Sequence, residues 1–307
     1  MNKSINFYVI GAQKAGTSWL YQRLKELPEF ELPPVKQLHY FDRDKKYNSP
    51  NKLSKTKLSA RLFDIKWLAK AKLITFMTFL KGKFKMSRWY FKWFFGNFND
   101  TWYVSLFSTF KGLTGEITPS YSMLEEEDIA HMAQLAPDAK ILFILRNPTD
   151  RAWSHYRYDT RKIANFDISK VTADQIMEFI NSEEQELRNN YSETIRRYCK
   201  YFKKEQILIG FYDAISQQPI AFLEDVVSFF GGDASKVEAL CKVEARVNVS
   251  KKIDMPIAVK EALDKKYTQS IQQLNNDLGS YTSHWLSQLG TDQTVAPPSG
   301  LAPTVRL

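Results

Sequence analysis

A chain of 307 residues with 44% apolar side chains is long enough for one large α/β domain or two small ones and can bury a substantial core, which excludes an intrinsically disordered protein. The formal charge of +9 is unevenly placed: residues 1–100 hold 20 Lys and Arg against 7 Asp and Glu, and the remainder holds 23 against 27. That asymmetry suits an anionic ligand or partner, and no zinc-finger, helix-turn-helix or aromatic RNA-binding signature supports nucleic acid. The run INFYVI is too short for a signal peptide or a membrane span. Cys199 and Cys241 show neither metal-ligand spacing nor a disulfide framework, so a reducing, cytoplasmic location is expected.

In chain order, INFYVI predicts a buried strand. GAQKAGTSW follows, with Gly11 and Gly16 framing a loop and Thr17 and Ser18 behind it. Next comes a helix, TSWLYQRLKEL, whose Trp19, Leu20, Leu24 and Leu27 recur at helical spacing and which stops at Pro28. Pro33 and Pro34 lead into a turn, VKQLHYFDRD. Residues 55–98 form a basic, aromatic segment expected to be two helices broken near Gly82. GEITPSY, a helix near EEEDIAHMAQLA and the strand KILFIL come next. RNPTDRAWSHYRY then enters a helix with Asp150 as the expected N-cap. Helices near 173–188 and 190–203, the strand QILIGFY, a helix from Pro219 to Phe230 and a helix pair over 256–289 complete a single domain spanning 1–290. The Pro-rich tail, 291–307, is expected to be disordered. Alternating strands and helices predict a three-layer, P-loop-like α/β domain with a central parallel sheet and additional helices, and ligands at the carboxyl ends of its strands.

The loop GAQKAGTSW has the frame of a phosphate cradle, in which glycines turn backbone N–H groups toward an anion and the following helix adds its positive end. Its lysine is displaced. In the nucleoside triphosphatase signature the lysine follows the second glycine, whereas here Thr17 stands there and Lys14 lies inside the loop. Taken with the lack of a clear acidic magnesium ligand at a strand end, this argues against a P-loop kinase.

GAQKAGTSWLY resembles the 5′-phosphosulfate loop of sulfotransferases that use 3′-phosphoadenosine 5′-phosphosulfate (PAPS), especially the bacterial type and the heparan sulfate sulfotransferases. The resemblance implies that Lys14 contacts the oxygen bridging phosphate and sulfonate, while Ala15, Gly16, Thr17 and Ser18 hold the 5′-phosphate. RNPTDRAWSHYRY is similar to the 3′-phosphate motif, which assigns Arg146 and Ser154 to that group; arginine brings a permanent, forked cation. Weaker similarities in PPVKQLHYFDRD, DTWYVSLF, GEITPSY, FKKEQILIGFYDAI and VNVSKK extend it from about residue 5 to 288. The implied activity is in-line transfer of a sulfuryl group from PAPS, without a metal, to a hydroxyl on a sugar, lipid or small metabolite.

Two positions depart from the family pattern. Where the family has a glutamate regarded as the base toward the acceptor, this chain has Gln37, whose amide is no proton acceptor at neutral pH. His39 is the best replacement, with Asp42 or Glu116 to orient or assist it; unless something replaces the glutamate, the chain is a binder of PAPS or another nucleotide with impaired catalysis. Ile117 stands where heparan-type members often carry lysine, which speaks against a glycosaminoglycan acceptor. Residues 61–95 leave three readings open: packing over the site, peripheral contact with the inner face of a membrane, or a grip on an acidic substrate.

Overall fold

The computed structural model describes residues 5–49, 53, 57–161, 171–245, 247, 253–291 and 297–307. The elements run β1 (Phe7–Gly11), α1 (Thr17–Leu24), α2 (Leu58–Leu62), α3 (Ile65–Leu80), α4 (Phe84–Phe95), α5 (Asp100–Phe107), β2 (Gly115–Ile117), α6 (Glu126–Leu135), β3 (Lys140–Leu145) and α7 (Pro148–Thr160). They continue with α8 (Ala173–Ile180), α9 (Glu183–Asn189), α10 (Tyr191–Tyr198), β4 (Ile207–Phe211), α11 (Tyr212–Gln217), α12 (Pro219–Phe230), α13 (Val237–Leu240), α14 (Ile257–Leu278), α15 (Tyr281–Ser287) and β5 (Thr304–Arg306).

The strands make one sheet in the order β2-β1-β3-β4-β5. The first four are parallel, with Tyr8 beside Glu116 and Ile141, and Phe143 beside Ile209. Every residue of β1 and β4 is buried, so both faces of the sheet are covered, as the unbroken apolar runs require. Helix α12 packs on β3 and β4 and also meets α1, while the 3₁₀ turn Pro119–Met123 packs on β1 and α14 packs on α7, α10 and α15. From β1 the chain steps to β2 on one side and then to β3 on the other. The crevice at the carboxyl ends of β1 and β3 is therefore a topological switch point, where open α/β sheets hold ligands.

Three local expectations are corrected. The N-cap of α7 is Asn147, whose side chain accepts from Thr149 N at 3.0 Å; Pro148 opens the helix, and Asp150 lies in its first turn. The stretch expected as two helices over 173–203 is three, because Asn181 and Ser182 interrupt it and Asn190 caps the last with a bond from Glu193 N at 3.3 Å. Most consequential, the end of the tail is ordered: Val305 pairs antiparallel with Ile209, and Thr304 Oγ1 donates to Asp225 at 2.7 Å. The prolines of the tail precede this point, and the β-branched Thr304 and Val305 meet an open sheet edge. The basic segment does break at Gly82, at φ +68, with α2 an additional short turn before the α3–α4 hairpin.

Candidate active site

β1 ends against its neighbours so closely that a Cβ on Gly11 would lie 2.9 Å from the Phe143 ring and 3.2 Å from Pro119 O. The loop that follows turns through left-handed backbone at Lys14, φ +71, and at Gly16, φ +82, the residue that precedes α1. A side chain at Gly16 would also meet Ile215 Cδ1 at 2.5 Å. Glycine is required there twice over, and the first N–H groups of α1, which have no partner inside the helix, are left at the cradle.

This loop forms one wall of a cavity of about 1380 Å³ at the carboxyl ends of β1 and β3. Lys14, Gly16, Thr17 and Ser18 line it, as do Arg146, directly after β3, and Ser154, half-buried on α7. Ala15 belongs to the loop but turns its methyl into the core. Arg146 donates from Nη1 to Lys14 O at 2.9 Å and lays its guanidinium 4.4 Å from the Tyr212 ring centre, so it ties the loop to the end of β3. The Lys14 ammonium sits 4.2 Å from the Tyr158 ring centre. Burial and the cations Arg161 and Arg146 push it down to about 8.

Gln37 and His39 line the same cavity from the turn after Pro34. His39 is buried in left-handed backbone, φ +57, and its Nδ1 lies 2.8 Å from Asp42 Oδ2. Burial works against the Asp42 carboxylate, yet hydrogen bonds from His39, Ser120 and Ser49 hold it below the usual range. An ionised carboxylate only accepts, so Nδ1 carries the proton. That leaves His39 Nε2 with its lone pair; this atom is buried and makes no hydrogen bond to a described residue. The arrangement is an imidazole oriented by a carboxylate, the geometry of a proton acceptor.

The sulfotransferase domain model matches residues 5–276. The chain belongs to the sulfotransferase family. It is therefore a transferase of sulfuryl groups, and the kinase alternative falls away. Its fold is similar to the crystal structure of a sulfotransferase from Alicyclobacillus acidocaldarius, with 21% identity over 92% of this chain and 98% of that one and a TM-score of 0.62. It is also similar to the sulfotransferase domain from the curacin biosynthetic pathway, with 12% identity over 87% and 97% of the two chains and a TM-score of 0.50. No curated protein matches the sequence.

Sequence reasoning missed four cations that line the cavity, Lys36, Arg157, Arg161 and Arg188. Lys36, from the same turn as Gln37, donates from Nζ to Thr17 Oγ1 at 3.1 Å and to Ser18 Oγ at 2.9 Å. Burial, then the neighbouring charge of Lys14, push its ammonium down to about 8. The motif places Lys36 beside Gln37, but nothing in the local pattern says that it reaches the mouth of α1. Glu116, the alternative partner of His39, is instead bound to Leu38 N, Tyr121 Oη, Tyr103 Oη and Thr118 Oγ1; burial raises its pKa, and it fixes the backbone of the turn. Ile117 is buried in β2 beside Val9. Of VNVSKK, only Val247 lies within the described residues. Among the described residues no cluster of His, Cys, Asp or Glu could hold a metal ion, and no helix is long and apolar enough to cross a membrane.

Proposed function

We propose that the protein transfers the sulfuryl group of PAPS to an acceptor hydroxyl, with the amides of the 12–18 loop on the 5′-phosphate and Arg146 and Ser154 on the 3′-phosphate. The observation that carries this reading is that a single cavity brings together the loop, Arg146, Ser154 and an imidazole oriented by a carboxylate. PAPS fits the donor set. Two lysine ammonium groups near 8 and an arginine crowd one wall without an acidic partner of equal number, which is the electrostatics of a site for a polyanion.

In the reaction the sulfur–oxygen bond to the phosphate breaks as a bond from the acceptor oxygen to sulfur forms. Lys14 stands where negative charge grows on the leaving oxygen, and stabilisation there is often the largest catalytic contribution. His39 Nε2 takes the acceptor proton, with Asp42 steadying the imidazolium; Gln37 lines the acceptor side and positions the hydroxyl. The His39–Asp42 pair supports this reading over that of an impaired binder, because it offers a base where Gln37 does not. The acceptor class, a glycan, a lipid or a small metabolite, is set by the outer cavity. Incubation with PAPS and a library of alcohols, glycans and lipids should release adenosine 3′,5′-bisphosphate in step with a sulfated product. Tight binding of the bisphosphate with no turnover on any acceptor would favour the binder.

A further inference from the structure

Among the described residues, ten of the sixteen exposed large apolar side chains lie between Leu62 and Phe91. The inner side of the α3–α4 hairpin is closed. Trp67 meets the rings of Phe94 and Phe95 edge-on at 6.0 and 5.9 Å, Ser87 Oγ donates to Thr75 O at 2.9 Å, and Trp93 runs on to Trp102 of the body at 5.5 Å. The outer side should then be polar, and it is not. Ile65, Leu73, Phe76, Met77, Phe79 and Leu80 are all exposed, Ile65 by 81%. At 100° per residue they occupy an arc of about 160° on the side of α3 away from Ala71, the one residue the helix buries. Lys66 and Lys72 fall within the same arc, so this face is apolar and basic together, and an exposed apolar patch of this kind on a folded surface marks an interaction site.

The charges around the patch select the partner. Lys66, Lys70, Lys72, Lys81, Lys83 and Arg88 are exposed and have no ion pair among the described residues. The single acid of the segment, Asp64, is engaged in capping α3 through Trp67 N at 3.0 Å. A second copy of the chain, docked face to face, would set these cations against their own images. A helix of 16 residues, roughly 24 Å long and interleaved with lysines, is too short and too charged to span a bilayer. Aromatic and aliphatic side chains flanked by lysines are instead the composition that lies in a lipid interface, the apolar side in the acyl boundary and the ammonium groups at anionic headgroups.

We propose that the outward face of the α3–α4 hairpin docks this sulfotransferase on an anionic lipid bilayer. The inference is independent of the donor and of the base. Co-sedimentation of the full chain with phosphatidylcholine vesicles, with and without phosphatidylglycerol, tests it. The protein should partition onto the anionic vesicles and much less onto the neutral ones, and salt should weaken the binding. The variant Leu73→Gln/Phe76→Gln/Leu80→Gln should abolish partitioning, and Lys70→Gln/Lys81→Gln/Lys83→Gln should weaken it by roughly a hundredfold. Both sets change exposed residues, so melting temperature and bisphosphate binding should match the wild type and show that the fold persists. Failure of the wild type to bind anionic vesicles would overturn the proposal. So would vesicle binding by the apolar variant at wild-type strength, or a wild-type dimer in solution that the apolar variant loses while neither binds vesicles, since a second copy would then be the occupant.

Discussion

One wall of the cavity is built on backbone: Lys14 and Gly16 sit in a single strand-to-helix turn, and Arg146, the residue after β3 and 132 positions along the chain, clamps Lys14 O at 2.9 Å. The facing wall is built on side chains, for His39 depends on Asp42 and Ser49, 3 and 10 positions along the chain, and on Ser120, 81 positions along it. The loop wall presents backbone dipoles and cations that glycine geometry fixes. The histidine wall is a buried polar network in which each atom positions the next, so a substitution there acts on chemistry and on placement together. Placement and chemistry are separable by choosing variants of equal shape.

The largest effect is expected where the two functions coincide. His39→Asn, close to isosteric with one edge of the ring, should lower turnover by roughly 10²–10⁴-fold, the usual contribution of a general base. Asp42→Asn should cost less and leave the apparent affinity for PAPS nearly unchanged, since it acts through the tautomer and angle of the imidazole and through the hydroxyls of Ser49 and Ser120. Near wild-type turnover in His39→Asn would move the proton acceptor elsewhere and leave the histidine wall as scaffold.

On the loop wall, Lys14→Ala should reduce turnover at saturating donor by about a hundredfold while the affinity for adenosine 3′,5′-bisphosphate falls by about tenfold or less. An equal loss in both would mean that Lys14 binds the anion in the ground state instead of meeting charge that develops in the transition state. Arg146→Ala reads the same wall differently. Calorimetry should show the bisphosphate weakened by roughly ten- to a hundredfold, as for a charge-assisted hydrogen bond, and adenosine 5′-monophosphate much less affected. Equal weakening of the two nucleotides would remove the 3′-phosphate from its assignment.

How far the sequence reveals each wall follows from how each is built. Gly11, Lys14, Gly16 and Arg146 are readable because strand, loop and helix follow one another, and the site residues sit at fixed offsets from apolar runs that must be buried. The same logic recovers β1, β3 and β4 and the break at Gly82, while the three residues of β2 within GEITPSY carry too little pattern to assign. Asp42 as the partner of His39 was one of two candidates, and only the tertiary fold assigns Glu116 to the tyrosines instead. The antiparallel β5 escaped because its three residues carry too little pattern, and an edge strand is chosen by the open edge it meets. The apolar residues of α3 are visible in the sequence as well, but which side of the helix faces out is decided only by where Trp67 and Ala71 pack.

Lys36 belongs to the histidine wall by sequence and reaches the loop wall in space, which gives the smallest and most specific prediction. Lys14 and Lys36 both titrate near 8, pushed down by burial and by nearby positive charge. A bound polyanion favours their charged forms and raises both values, so binding takes up protons once the free lysines have begun to lose them. The affinity for adenosine 3′,5′-bisphosphate should therefore be level below about pH 7 and fall above about pH 8, by roughly tenfold per lysine between pH 7 and 9. The ligand itself does not produce this slope, because the second ionisation of a phosphate lies near about 6 and is complete across that range. Lys36→Arg keeps the charge at every pH used, so it should bind at pH 7 about as well as the wild type and lose part of the alkaline fall. A wild-type affinity that stays flat from pH 7 to 9 would show that neither ammonium faces the anion. A fall that is unchanged in Lys36→Arg would leave Lys14 as its source and return Lys36 to a purely structural hold on Thr17 and Ser18.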